Sequence, residues 1–231
     1  MKRADAILSE SGIFTRSEAR KAIFDGRVFA DGKKIVSPSE KINENAAFTV
    51  DGKEINTEKY VYLMMNKPQG YICENGGENS VLSLVPKEYY RKGLFTVGRL
   101  DKDTEGLLLI TNDGEFAHAV ASPKRNIRKL YFAELEREVT AEDISSFANG
   151  VETKNGEKFL PALLEKGEGK TATVTVSEGK YHEVKRLFLL TDNRVLYLKR
   201  LKEGGLWLDT TLSAGETRAL TEEEKELIFA E

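Results

Sequence analysis

Apolar residues recur at helical spacing from the start of the chain: Ala4, Ile7 and Leu8 share a face between Arg3 and Glu10, and Gly12 supplies the stop. A second helix is predicted beyond it. Thr15 caps that helix, with Glu18 three residues on so that each side chain bonds the other's backbone amide. Ala19, Ala22, Ile23 and Phe24 form its buried stripe, and Gly26 ends it. The apolar period then falls to two. Arg27-Val28-Phe29-Ala30 reads as a strand entering a tight turn at Asp31-Gly32, with Lys33 to Val36 returning, and Phe48-Thr49-Val50 before Asp51-Gly52 repeats the pattern. Residues 1–55 thus read as a compact module, and the polar stretch 56–60 as a linker.

Residues 61–231 read as a second, β-rich domain. Runs of strand length and composition lie at Val61 to Met65, Leu107 to Ile110, Tyr131 to Leu135, Thr171 to Val176 and Val195 to Leu198. Helices are predicted from Glu115 to Ala121, Ala141 to Gly150, His182 to Leu190 and Thr221 to Phe229, the last with Thr221 and Glu224 as a capping pair. Strands interleaved irregularly with helices and hairpins predict an α+β fold: a small N-terminal α/β module and a larger domain with a mainly antiparallel mixed sheet.

Composition removes several function classes. The single cysteine, Cys73, excludes an internal disulfide framework and a multi-cysteine zinc site. With only His118 and His182, far apart in the chain, a metal enzyme would need mostly carboxylate ligands, so no metal site is expected. The opening MKRADAILSESGIF lacks the apolar run of a secretory signal, and no long apolar stretch follows, so a cytoplasmic protein with no membrane association is expected. Against 35 Lys and Arg stand 38 Asp and Glu, a net charge of −3, which argues against a chain coated by nucleic acid. Local stripes modify that picture. Lys124, Arg125, Arg128 and Lys129 form an acid-free run, and Lys180, Lys185, Arg186, Arg194, Lys199, Arg200 and Lys202 meet only Glu183 and Asp192. The compensating acids gather in the closing segment from Glu216 to Glu231. Such stripes suit a groove for a polyanion or a solvated face.

Generic catalytic motifs are missing. Gly76-Gly77 and Gly167-Glu168-Gly169-Lys170 lack phosphate-loop spacing, and no nucleophile elbow occurs around any serine. Cys73 is expected to be a partly buried spectator. The densest polar constellation is GRLDKDTEGLLLITNDGE, which sets Arg99, Asp101, Asp103 and Glu105 directly before an apolar strand. Taken alone it suits a solvated acidic turn, or the paired carboxylates of glycoside hydrolysis, although a single Trp, Trp207, makes a poor sugar cleft.

That stretch resembles the signature of pseudouridine synthases, and the whole chain resembles the RsuA-type branch acting on small-subunit (16S) ribosomal RNA. The likeness runs in order through LMMNKPQGYIC at 63–73, GRLDKDTEGLLLITNDGEFAH at 98–118, KLY at 129–131, SEGKYHEVKRLF at 177–188 and GGLWLD at 204–209. The front module resembles an S4-like RNA-binding domain through TRSEARK at 15–21 and GRVFADGKKI at 26–35.

The resemblance implies a catalytic role for Asp101, as nucleophile at C1′ or base at the 2′ position, with Lys185 as the cation that keeps it ionised. It implies Tyr131 as the aromatic against the uracil and Arg99 as a brace of the loop or a phosphate contact. A uridine in folded RNA must leave its stack to reach such a carboxylate. Candidate RNA contacts are therefore Lys124, Arg125, Lys129, Tyr181, His182 and Arg186 around the site, and Arg3, Arg16, Arg20, Lys21 and Arg27 in the front module. Isomerisation conserves every atom, so no cofactor is expected. The implied partner is 16S ribosomal RNA or a small-subunit assembly intermediate, met by a monomer. The rival readings are a large-subunit target and a non-catalytic RNA-binding or ribosome-assembly protein. The YHEVKR run favours the small subunit over the large, and the presence of Asp101, Tyr131 and Lys185 together favours the enzyme.

Overall fold

The computed structural model describes residues 1–74, 76–153 and 155–230. Glu231, the last of the predicted acidic segment, lies outside them. The chain divides into two units: Met1–Val61 with Val85–Leu94, and Tyr62–Leu84 with Phe95–Glu231.

In the first unit, α1 (Ala4–Glu10) and α2 (Arg16–Phe24) bury Leu8 and Ile23 with Val28 and Phe48. The capping pair forms as the spacing requires, with Thr15 accepting from the Glu18 amide and the Glu18 carboxylate accepting from the Thr15 amide at 2.7 Å. β1 (Val28–Ala30) lies between β2 (Lys33–Lys34) and β3 (Phe48–Val50), and β3 pairs onward with β4 (Lys53–Ile55), all antiparallel.

The stretch 56–60, read from sequence as a linker, is bonded into this unit. Fully buried Arg91 donates to the carbonyls of Asn56 (3.0 Å), Glu58 (3.2 Å), Glu88 (3.1 Å) and Tyr90 (2.9 Å). Gly12 makes room for the same segment. Its φ is +75° and a Cβ there would sit 2.5 Å from the Lys92 amide nitrogen, so neither the backbone nor the space admits a side chain. Val85–Leu94, which the sequence reading assigned to the second domain, is therefore grouped with the first unit. Nothing in its composition announces this.

The second unit is built on one sheet whose strands are β5 (Tyr62–Lys67), β6 (Phe95–Val97), β7 (Thr104–Thr111), β8 (Lys129–Leu135), β9 (Leu163–Lys166), β10 (Thr171–Val176), β11 (Val195–Glu203), β12 (Leu206–Trp207) and β13 (Thr217–Ala219). Their spatial order is β9-β10-β8-β11-β7-β5-β13, with β6 on β7 and β12 on β11. Every pair is antiparallel except β11 with β7, where Leu198, Lys199 and Arg200 lie beside Thr104, Glu105 and Gly106. That contact is very close. A Cβ on Gly106, whose φ is +104°, would stand 2.2 Å from the Arg200 carbonyl oxygen.

Among the described residues four α-helices complete the unit: α3 (Gly114–Ala121), α4 (Ala141–Asn149), α5 (Glu183–Leu190) and α6 (Glu222–Leu227). One apolar cluster gathers Ala133, Phe147, Val174, Leu187 and Phe188, and another gathers Met64, Leu107, Leu109, Val120 and Ile228. The parallel strands β11 and β7 join the two halves of the sheet. The architecture is α+β with a mainly antiparallel mixed sheet.

Candidate active site

Asp101 sits in the short loop that leads from β6 into β7, and the loop is held by its main chain. Lys67, at the end of β5, is fully buried, and its Nζ donates to the carbonyls of Thr104 (2.8 Å), Asp101 (2.9 Å) and Pro68 (3.0 Å). Burial pushes its pKa down. The Gly70 amide adds a bond to the Lys102 carbonyl at 2.8 Å, and Cys73 Sγ accepts from the Leu100 amide at 3.4 Å. The segment 67–73 therefore shapes the loop without touching its side chains, and Cys73, expected to be a spectator, is a minor part of that brace.

The carboxylate of Asp101 has two side-chain partners. Lys185 Nζ, in the first turn of α5, donates to Oδ2 at 2.8 Å and to Asp103 Oδ1 at 2.5 Å. His182 Nε2 lies 3.3 Å from Asp101 Oδ1. Burial works against the charge on Lys185, but its bonds to Asp101 and Asp103 outweigh it and hold the ammonium above its ordinary range. Asp103 shows the reverse. Burial would raise its pKa, and the bond from Lys185 carries it below the usual carboxylate value. His182 occupies the N-cap position of α5 with φ +50°, a left-handed conformation for a residue that carries a Cβ.

A cavity of about 430 Å³ opens beside this carboxylate, lined among others by Arg99, Asp101, Lys129, Tyr131, His182 and Lys185. Tyr131, on β8, pairs across the ladder with Arg200 on β11, and burial pushes its hydroxyl pKa up. Arg200, one of the cations in the stripe read from sequence as a polyanion groove or a solvated face, is only 3% exposed. Its Nε donates to the Leu107 carbonyl at 2.7 Å, and its Nη2 lies 3.5 Å from the equally buried Glu203. Glu183 also lines the cavity, 6% exposed. Burial, followed by the neighbouring charge of Glu178, pushes its pKa up to about 7, against the bond it accepts from the Lys180 amide at 3.1 Å.

Thus three segments far apart in sequence bring Asp101, Tyr131, Lys185 and His182 to one cavity. Arg99 is exposed there and has no ion pair among the described residues. The predicted RNA contacts divide. Lys124 is exposed in the turn after α3, while Arg125 lies over the Phe229 ring at 5.0 Å. Lys129, expected as an RNA contact flanking Tyr131, lines the cavity. Its Nζ bonds the Ile127 carbonyl at 2.8 Å, and burial lowers its pKa. Arg186 pairs with Glu157 and lies over the Phe159 ring at 4.7 Å, and Tyr181 is 70% exposed.

In the first unit the buried carboxylate of Asp5 gathers three of the predicted arginines. Arg3 donates two bonds at 2.9 Å, Arg20 Nε donates at 3.0 Å, and Arg16 Nε stands at 3.7 Å. Hydrogen bonds from Arg3 hold Asp5 far below the carboxylate range against its burial. Lys21 is exposed, and Arg27 is paired with Asp51.

The sequence reading gave no role to Lys67, Glu183 or Glu203, and placed Arg200 only in a basic stripe. Only the lysine carried a local hint, since it closes an apolar strand directly before Pro68. Chemically, the arrangement presents a carboxylate, fixed by an ammonium, to a cavity with an aromatic wall. That carboxylate can supply an electron pair to a bound carbon or hydrogen. Among the described residues no group of three or more His, Cys, Asp or Glu is arranged to hold a metal, and no helix is long and apolar enough to cross a membrane.

The chain matches the family model for RNA pseudouridylate synthase over residues 61–190 and that of the S4 domain over 2–48. It is 41% identical to an uncharacterized RNA pseudouridine synthase of Bacillus subtilis, over 98% of each chain. It is 39% identical to the ribosomal small subunit pseudouridine synthase A of Vibrio cholerae, over 96% of this chain and 97% of that one. The Escherichia coli protein of the same name is 37% identical over the same shares. Among solved structures, a pseudouridylate synthase superposes with a TM-score of 0.69 at 34% identity, covering 99% of this chain and 100% of the other.

Proposed function

The chain belongs to the RNA pseudouridylate synthase family, and from that premise we propose that it converts one uridine of small-subunit (16S) ribosomal RNA to pseudouridine, with Asp101 as the catalytic carboxylate. The observation that carries this reading is the 2.8 Å bond from Lys185 to Asp101 at the wall of a cavity that Tyr131 also lines.

The reaction breaks the bond from uracil N1 to C1′ and joins C5 to C1′, while the hydrogen leaves C5 and N1 ends protonated. Asp101 supplies the electron pair, to C1′ or to the 2′ hydrogen. Lys185 sets a positive charge against the carboxylate beside RNA phosphates. The Tyr131 ring covers the flipped uracil, and Arg99 holds a phosphate at the rim. The arginines gathered on Asp5, with Lys21, contact RNA from the first unit, so that residues 1–55 bind RNA and the fold beyond the stretch 56–60 carries the chemistry. The substrate is the RNA itself or a small-subunit assembly intermediate, met in the cytoplasm by a monomer.

Mapping of pseudouridine in ribosomal RNA from cells with and without the gene tests the reading. One 16S position should lose its pseudouridine in the deletion strain and regain it with the wild-type gene but not with Asp101→Asn. Loss of a large-subunit position would move the target, and an unchanged map in both subunits would overturn the activity.

A further inference from the structure

The segment leading into α5 carries an aromatic ring that packing does not explain. Tyr181 is 70% exposed. Its ring lies flat on the imidazole of His182, with centroids 3.8 Å apart and planes at 18°. The imidazole in turn reaches the catalytic carboxylate, 3.3 Å from Asp101 Oδ1.

The mounting of this pair is stiff. Lys180 on one side is bonded to the Lys158 carbonyl and lies over the Phe159 ring at 5.1 Å, while Arg186 on the other lies over that ring at 4.7 Å and pairs with Glu157. Beyond its contact with the imidazole, a ring this exposed buries little apolar surface on folding and so adds little to stability. A target uridine that leaves its stack uncovers the faces of its neighbours, and such a face is what an open aromatic ring can cover.

We propose that Tyr181 is a stacking platform for an unpaired RNA base next to the target uridine, and that His182 beneath it is a positioning residue that carries the geometry of this stack to Asp101. This rests on the function proposed above. Lys185 donates to one oxygen of Asp101 and His182 Nε2 stands 3.3 Å from the other, both at the start of one helix, so a base seated on Tyr181 fixes the imidazole against the carboxylate at the moment the neighbouring nucleotide enters the cavity.

The test uses full-length protein and a 16S transcript labelled with tritium at uracil C5, which the isomerisation releases. Filter retention at several salt concentrations reads affinity, and tritium release at saturating protein reads the rate. Tyr181→Leu should weaken RNA binding by about 5- to 100-fold. Its salt dependence should match wild type, because stacking displaces no counterions. Tyr181→Phe should keep wild-type affinity. His182→Gly and His182→Asn both tolerate the left-handed backbone, but only Asn donates a hydrogen bond, so His182→Gly should lose most of the saturated rate and His182→Asn should retain more of it.

Wild-type affinity in Tyr181→Leu overturns the platform. So does a shallower salt slope, which marks a phosphate contact, and so does equal loss in Tyr181→Phe, which marks a hydroxyl contact. Equal rates in the two His182 variants overturn the positioning role. Absence of tritium release by wild-type protein, from the transcript and from small-subunit assembly intermediates carrying the same label, would sink the function proposed above instead, and filter retention would still judge the platform.

Discussion

The ammonium of Lys67 stands 2.9 Å from the main-chain oxygen of Asp101, so a buried cation grips the loop that presents the carboxylate while leaving the carboxylate itself to Lys185 and His182. Lys67→Met removes the donor to three carbonyls that lie within 3.0 Å of it. Thermal unfolding should show a loss of about 2–4 kcal/mol, a cost of about 1 kcal/mol or more for each carbonyl left unpaired. Turnover should fall with it, and RNA affinity should hold.

Asp101→Asn keeps the shape of the side chain and removes its charge. Single-turnover isomerisation should drop by at least about 10³-fold with RNA retention on filters unchanged. Turnover near wild type would move the chemistry to another group, with Asp103 the next candidate.

Lys185 bridges two carboxylates of unequal exposure, 25% for Asp101 and 70% for Asp103. Lys185→Met should therefore cut turnover by about 10²-fold or more, because it strips the less exposed anion of its cation. Asp103→Asn should cost no more than about 1 kcal/mol of stability and leave turnover within a few fold, since solvent screens the exposed partner. Equal damage from the two changes would make the bridge itself, rather than Asp101, the unit of function.

Glu183 gives the protein a pH-dependent stability. Its folded pKa of about 7 lies above the ordinary carboxylate value of 4.5, so the folded state holds the proton more tightly than the unfolded chain. Stability from this group is greatest below pH 4.5, declines between pH 4.5 and 7, and stays reduced above that. Chemical denaturation of Glu183→Gln should show a flatter profile over this window. The variant should gain of order 3 kcal/mol at pH 8 relative to pH 4 when each is compared with wild type. Parallel profiles for the two proteins would refute the assignment.

Asp5 gathers three of the arginines proposed to contact RNA. Asp5→Asn should loosen Arg3, Arg16 and Arg20 together, so affinity should fall although no RNA-contacting cation is removed. Arg16→Gln and Arg20→Gln should each reduce the log–log salt slope by about 0.7 to 0.9. Unchanged slopes would mean these side chains are solvated in the complex.

Much of this was readable along the chain. Thr15 with Glu18 and Thr221 with Glu224 form the capping pairs their spacing predicts, and the apolar runs at 61–65 and 107–110 lie, Val61 apart, inside β5 and β7. Caps and periodicity are local properties, so local sequence carries them. Burial of charge is set by distant partners. Arg200 looks like its neighbours Lys199 and Lys202 until β7 and β8 enclose it, and Lys67 gains its meaning from carbonyls more than thirty residues away. The assembly of Asp101, Tyr131 and Lys185 was legible only through resemblance, since no spacing rule joins residues 84 positions apart.

The attachment of Val85–Leu94 to Met1–Val61 bears on how the chain comes apart. Cooperative opening follows bonds, not residue numbers. In native-state hydrogen exchange, the Leu94 amide, bonded to the Arg91 carbonyl at 3.3 Å, should exchange together with the protected amides of α2 at a common opening free energy. The amides of β5 and β7, on either side of it in the chain, should follow a different one. A discontinuous stretch of ten residues would then report the health of a foldon that begins more than eighty residues earlier.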